Sequence, residues 1–193
     1  MGAKLRTISG LLALLAGFFT ACSGGNGDEP ENQFLMFLDT SALSTAEFRF
    51  VKGRCLGKLS ISAKTEPALA AVEVFARHVI EPIALDGASP ANDSALVNLV
   101  PRPPLAGNLS QWLENTDDGV DGPYLITSNA FAWINGAAGP FEDNGFEAVV
   151  VENYDEQVEG WTLELTVVNM ASAQGAALAF GQANWDTGAE IAP

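Results

Sequence analysis

Phe146-Glu147-Ala148-Val149-Val150-Val151 and Trp161-Thr162-Leu163-Glu164-Leu165-Thr166-Val167 are the two runs that decide the fold. The first is a short, β-branched apolar run. The second alternates apolar and polar residues strictly, which is the period of a strand with one buried face. Between them lies Glu152-Asn153-Tyr154-Asp155-Glu156-Gln157-Val158-Glu159-Gly160. The pair predicts an antiparallel hairpin with an acidic tip.

The same period recurs upstream. Phe34 to Leu38 is an apolar run stopped by Asp39. Glu47 to Lys52 alternates with Phe48 and Phe50 inward, and Arg49 and Val51 outward. Lys58 to Lys64 alternates with Leu59 and Ile61 inward. Gly53 to Gly57 reads as the turn between them, a Gly at each end. This second hairpin then carries a basic patch of Arg49, Lys52 and Lys58 on its solvent face.

Thr65-Glu66-Pro67 reads as a helix start, with a capping hydroxyl, an early acid and an early proline. Leu69, Val72, Phe75, Ala76, Val79 and Ile80 then share one helical face, so a helix is predicted over about 67–80. The β-branched residues in that stretch leave a strand as the alternative. Short strands are predicted at Ala95 to Val100, Tyr124 to Thr127, Ala130 to Ile134 and Ala176 to Phe180. One or two helical turns are expected around Trp112, and a loop at the C-terminus. With 19 glycines and 10 prolines falling between apolar runs, the expected fold is mainly β: an antiparallel β-sandwich with one helix.

The N-terminus has a different organisation. Lys4 and Arg6 precede an apolar core, Ile8 to Phe19, and small residues follow. That is the layout of a secretory signal, and the core is short for a membrane span. Phe19-Thr20-Ala21-Cys22 resembles the lipobox of bacterial lipoproteins. Thr20, Ala21 and Cys22 match that pattern, while Phe19 stands where Leu is usual. The resemblance implies cleavage before Cys22, lipid (palmitate among it) on Cys22, and, with Ser23 following, delivery to the outer membrane. Ala21-Cys22-Ser23 is also a small-x-small exit, and cleavage after Ser23 would discard Cys22. Ser23 to Gln33 has no apolar residue and reads as a tether. The expected organisation is therefore a signal over 1–21, a lipidated Cys22 and tether over 22–33, and one domain over 34–193. Cys55 is left as a lone thiol of the kind usually buried.

The net charge is −15. Loss of Lys4 and Arg6 with the signal takes it to about −17. After Arg102 the chain has no Lys or Arg but 14 Asp and Glu. A nucleic-acid binder needs a basic face, so that class is excluded. The same polarity suggests self-association, or docking to an envelope protein, through the basic hairpin and the acidic half.

Candidate sites are few. In Asn115 to Gly122, Asp117 taken as first puts Asp121 fifth and Gly122 sixth, as in an EF-hand. Gly119 then fills the third place and Ser128 the twelfth, where Glu is required. What remains is a looser Ca²⁺ loop using Asn115, Asp117 and Asp121. Glu142-Asp143-Asn144 and Asp155-Glu156 are weaker candidates of that kind. Trp133 and Trp161 read as core. Trp112 and Trp185 lie among polar residues and are the candidates for exposed, sugar-stacking rings. His78 is the only histidine, and neither zinc-ligand spacing nor a Gly-x-Ser-x-Gly turn is present, so no catalytic residue is assigned. Paired carboxylates for a glycan-acting hydrolase are the third alternative. Leu125 to Gly136, followed by Tyr154-Asp155-Glu156, resembles the later part of bacterial spondin-type domains. That resemblance implies a secreted β-sandwich that can bind calcium. The expected role is non-catalytic binding or assembly in the envelope, with a calcium-dependent ligand or carbohydrate binder as the alternative.

Overall fold

The computed structural model describes residues 34–85, 93–105, 109–115, 122–134 and 136–191. Cys22, the tether, Asp117 and Asp121 lie outside the described residues. The fold is mainly β and antiparallel, as expected. Among the described residues the strands are β1 (Phe34–Asp39), β2 (Ala46–Lys52), β3 (Cys55–Ile61), β4 (Trp112–Glu114), β5 (Tyr124–Ile126), β6 (Phe146–Glu156), β7 (Thr162–Met170) and β8 (Ala189–Ile191). They form one sheet in the order β4-β6-β7-β3-β2-β1-β8, with β5 also on β6. The meander β1-β2-β3 and the hairpin β6-β7 are joined by the β3–β7 pairing, from Cys55 opposite Asn169 to Ile61 opposite Leu163.

Alternation buries both faces of this sheet. On the first, Phe48, Phe50, Leu59, Ile61, Val150, Leu163, Leu165 and Val167 pack under α1 (Glu66–Ile80). The helix starts as its sequence dictates: Thr65 Oγ1 accepts from Ala68 N at 3.4 Å, and Pro67 occupies the first turn, where its missing N–H costs nothing. Glu73 pairs with Arg77 one turn on at 2.7 Å. The β-branched residues do not divert it to a strand, because burial of Leu69, Val72, Phe75, Ala76 and Val79 outweighs a propensity deficit of tenths of a kcal/mol each.

On the second face, Phe37, Val51, Leu56, Val149, Val168 and Met170 pack under α4 (Ala173–Gln182) and α3 (Gly139–Glu142). Val51, expected outward, is therefore core. Ala176 to Phe180, expected as a strand, lies in α4. Ser172 caps that helix by accepting from Gly175 N at 2.9 Å, and the alanines let it lie close to the sheet.

Other local expectations change as well. Ala95 to Val100 begins in a short helix, α2 (Asp93–Val97). Ala130–Ala132 is a 3₁₀ turn capped by Asn129, whose Oδ1 accepts from Ala132 N at 3.0 Å. Trp112 opens strand β4 rather than a helical turn, and the C-terminal stretch contributes β8. The acidic tip is shorter than expected, because β6 runs on to Glu156. Glu156 Oε2 accepts from Val158 N at 3.1 Å and from Glu159 N, closing that turn.

Candidate functional site

The second face of the sheet changes character along the strands. Register aligns three rows across it. The first row is Leu35, Val51, Leu56, Val168, Val149 and Ile126. The next is Phe37, Arg49, Lys58, Thr166, Val151 and Tyr124. The third is Asp39, Glu47, Ser60, Glu164 and Asn153. An apolar row, a mixed row and a polar row thus follow within a few residues. The apolar row belongs to the core beneath α3 and α4. Over the polar part lies an open cleft of about 460 Å³.

Its sheet-borne lining is Lys58, Val151, Asn153, Glu164, Tyr124 and Ile126. Trp133 and Ile134, just after the 3₁₀ turn, and Trp185, just after α4, form a wall. The wall is built by aromatic edges: Trp133 and Trp185 both stand T-shaped to Phe141, with centroids at 5.0 and 5.6 Å, and Trp185 stands the same way to Phe180 at 6.3 Å. Such pairs fix ring orientation as well as bury area. Arg49 holds the loop carrying Trp185. Its Nη1 donates to Thr187 Oγ1 at 2.7 Å, while Nε and Nη2 donate to Glu47 Oε2 at 2.9 and 2.5 Å. Arg49 Nη2 also reaches Asp39 Oδ2 at 3.4 Å. Hydrogen bonds from Ser41, and then the Arg49 charge, hold the Asp39 carboxyl below its usual range.

The far side of the cleft lies where the edge of the sheet is interrupted. β4 pairs with β6 as far as Tyr154, and β5 resumes at Val151. Glu152 falls between them, 4% exposed, and lines the cleft with Asn115 and Gly122. Arg102 braces this edge: Nε lies 2.6 Å from Glu114 Oε1. Its guanidinium also covers Gly122, where a Cβ would come within 2.4 Å of Nη1.

The residues singled out in the sequence scatter. Trp185 is a cleft wall and Asn115 is at the cleft edge, but Trp185 is 8% exposed rather than an open platform. Trp112 is 1% exposed on the opposite face, T-shaped to Phe75 at 5.6 Å. Its polar neighbours suggested exposure, but strand pairing opposite Glu156 turns the ring into the first core. His78 is exposed on α1, which covers the first face. The basic hairpin is not one patch. Arg49 is spent on the network above, and Lys52 lies on the opposite face, donating to Ile80 O at 2.9 Å. Burial lowers the Lys52 pKa. The weaker calcium candidates serve as structural acceptors and donors. Glu142 accepts from Ala130 N, and Asn144 Nδ2 donates to Pro140 O at 2.7 Å. Among the described residues no group of three His, Cys, Asp or Glu is arranged to hold a metal ion.

Tyr124 and Glu164 read in the sequence as ordinary strand positions, Asn153 as part of the acidic tip, and Lys58 only as part of the basic patch; none of them reads as part of a cleft. Only the pairing of β3, β7, β6 and β5 puts them side by side. No helix among the described residues is long and apolar enough to cross a membrane. Comparison of the chain with protein-family models, with curated proteins and with solved structures found no match.

Proposed function

We propose that this is a lipid-anchored protein of the bacterial outer membrane with a non-catalytic binding role, and that the cleft on the second sheet face is its ligand site. The observation that carries the binding role is the cleft itself. Its volume is that of a small-molecule site, and rigid aromatic walls stand beside convergent polar groups from four strands. The location rests on the signal-like N-terminus and the Thr20-Ala21-Cys22 motif.

Titration with a panel of small polar ligands, followed by tryptophan fluorescence, tests the binding role. Trp133 and Trp185 line the cleft, so a ligand seated there changes their emission. Asn153→Ala should abolish the change without lowering the melting temperature by more than a few degrees. A response that survives Asn153→Ala and Tyr124→Ala unchanged would place the ligand elsewhere.

A calcium-dependent version of this reading is favoured by one further observation. Asn115 and Gly122, the residues flanking the acidic stretch 116–121, both line the cleft. On this version the ion is the one that the sequence suggests for Asn115, Asp117 and Asp121. A melting temperature several degrees higher in calcium than in chelator, at fixed ionic strength, supports this version. Equal melting temperatures remove it.

A further inference from the structure

We infer that the cleft takes a neutral saccharide ring; the inference rests on the cleft being the ligand site. The charges at the cleft are compensated, so none of them selects an ion. Lys58 Nζ and Glu164 Oε1 face each other at 3.8 Å. Arg102, which covers Gly122, is paired with Glu114 at 2.6 Å. Glu152 adds no charge. Val150 and Tyr154, two residues to either side of it on β6, belong to the first core, so strand alternation turns its side chain to that face.

The Lys58–Glu164 pair is what points to hydroxyl groups. Its separation of 3.8 Å is beyond hydrogen-bonding distance. An ammonium group can only donate and a carboxylate can only accept. A ligand cation would satisfy Glu164 and be repelled by Lys58, and an anion would do the reverse. A hydroxyl accepts from Lys58 and donates to Glu164, so it serves both without opposing either. Asn153 lies directly opposite Glu164, on β6, and is exposed. Its amide adds a further donor and acceptor.

Beside this polar strip lies an apolar one. Tyr124 and Val151 stand opposite each other on β5 and β6, two residues back from Asn153. Two residues of a strand span about 7 Å, which suits a pyranose ring with its hydroxyls. Tyr124 is the most open ring of the lining, 58% exposed against 8% for Trp185. The negative face of an aromatic ring attracts polarised C–H bonds. A saccharide ring combines the two demands, with C–H bonds on its face and hydroxyls around its rim. The net charge of −15 repels anions from the cleft but leaves a neutral ring unaffected.

The test uses the full chain and four neutral disaccharides as probes: cellobiose, maltose, lactose and N,N′-diacetylchitobiose. Binding is read by tryptophan fluorescence. At least one probe should give a saturable change, whereas sorbitol, which has hydroxyls but no ring, should give none. Raising salt from about 0.02 to about 0.3 M should alter the affinity by less than about twofold. Tyr124→Ala and Asn153→Ala should each weaken binding about tenfold. Lys58→Met and Glu164→Gln should both weaken it, about three- to tenfold each. Melting temperatures within a few degrees of the parent confirm that each variant is folded.

Opposite effects of Lys58→Met and Glu164→Gln would mark a charged ligand and overturn the inference. If all four disaccharides leave the emission unchanged while a charged member of the panel saturates it, the saccharide inference falls and the cleft stands. If a disaccharide response survives both Tyr124→Ala and Asn153→Ala, the sugar binds elsewhere and both readings fall. Both fall as well if no member of the panel changes the emission.

Discussion

Phe50 lies across Gly57 on the neighbouring strand, so closely that a Cβ at position 57 would come within 2.3 Å of the ring. The carbonyl oxygen of Thr166 would be 3.0 Å from it on the other side. The glycine is there for space, and its absent side chain is filled by a buried ring. Gly57→Ala should therefore destabilise the protein by about 1–3 kcal/mol, the range for overpacked cores. Urea unfolding measures it. Combining the change with Phe50→Leu should cost less than the sum of the two single changes, because both act on one contact.

Tyr154 Oη donates a 2.6 Å hydrogen bond to the carbonyl oxygen of Pro101. Both residues are buried, and the bond ties the chain after α2 to the C-terminal end of β6. Tyr154→Phe leaves that carbonyl without its partner at little change in shape. The expected loss is about 1–3 kcal/mol, again by urea unfolding. A loss below about 0.3 kcal/mol would mean that water replaces the hydroxyl.

Much of this architecture was legible in the residues, for identifiable reasons. The β6–β7 hairpin and α1 announced themselves because each has a long, consistent period and, for α1, a cap. Gly57 misleads because a glycine reads as the end of a turn, whereas the turn is only Gly53-Arg54, with Gly53 at φ +55°. Ala176 to Phe180 misled because five apolar residues fit a strand as well as a helix; the Ser172 cap was the available signal. Trp112 misleads because its neighbours in sequence are polar, while in space its ring stands against Phe75 in the first core. The cleft was hidden for a deeper reason. Lys58, Tyr124, Asn153, Glu164 and Trp185 meet only through register and a returning loop, and no local pattern encodes either.

Burial pushes the Cys55 thiol up to about 12, from an ordinary value of 9.0. The folded state therefore holds this proton more tightly than the unfolded chain does. The resulting stability is fully present below pH 9.0 and is lost as the pH rises from there toward about 12. Tyr154 is raised by burial too and adds to the same alkaline loss. The urea midpoint should fall above pH 9, and Cys55→Ala should make that fall shallower. An unchanged slope in Cys55→Ala would contradict the assignment.

The thiols also report on the N-terminus. The chain has two cysteines, and Cys55 is free and buried. If Cys22 carries lipid, protein taken from membranes should show no reactive thiol when native and a single one in guanidinium. Cys22→Ser should abolish palmitate labelling and release the protein from the membrane fraction. Labelling that persists in Cys22→Ser would refute the anchor.

The central claim, that the cleft on the second sheet face is the ligand site, is tested most directly by the indole N–H resonances of the four tryptophans. Trp133 and Trp185 wall the cleft, whereas Trp112 and Trp161 pack with the first core. In a nitrogen-15 correlation spectrum, a bound ligand should shift the first pair in a saturable way and leave the second pair in place. Saturable shifts confined to Trp112 and Trp161 would put the site on the other face and contradict the account.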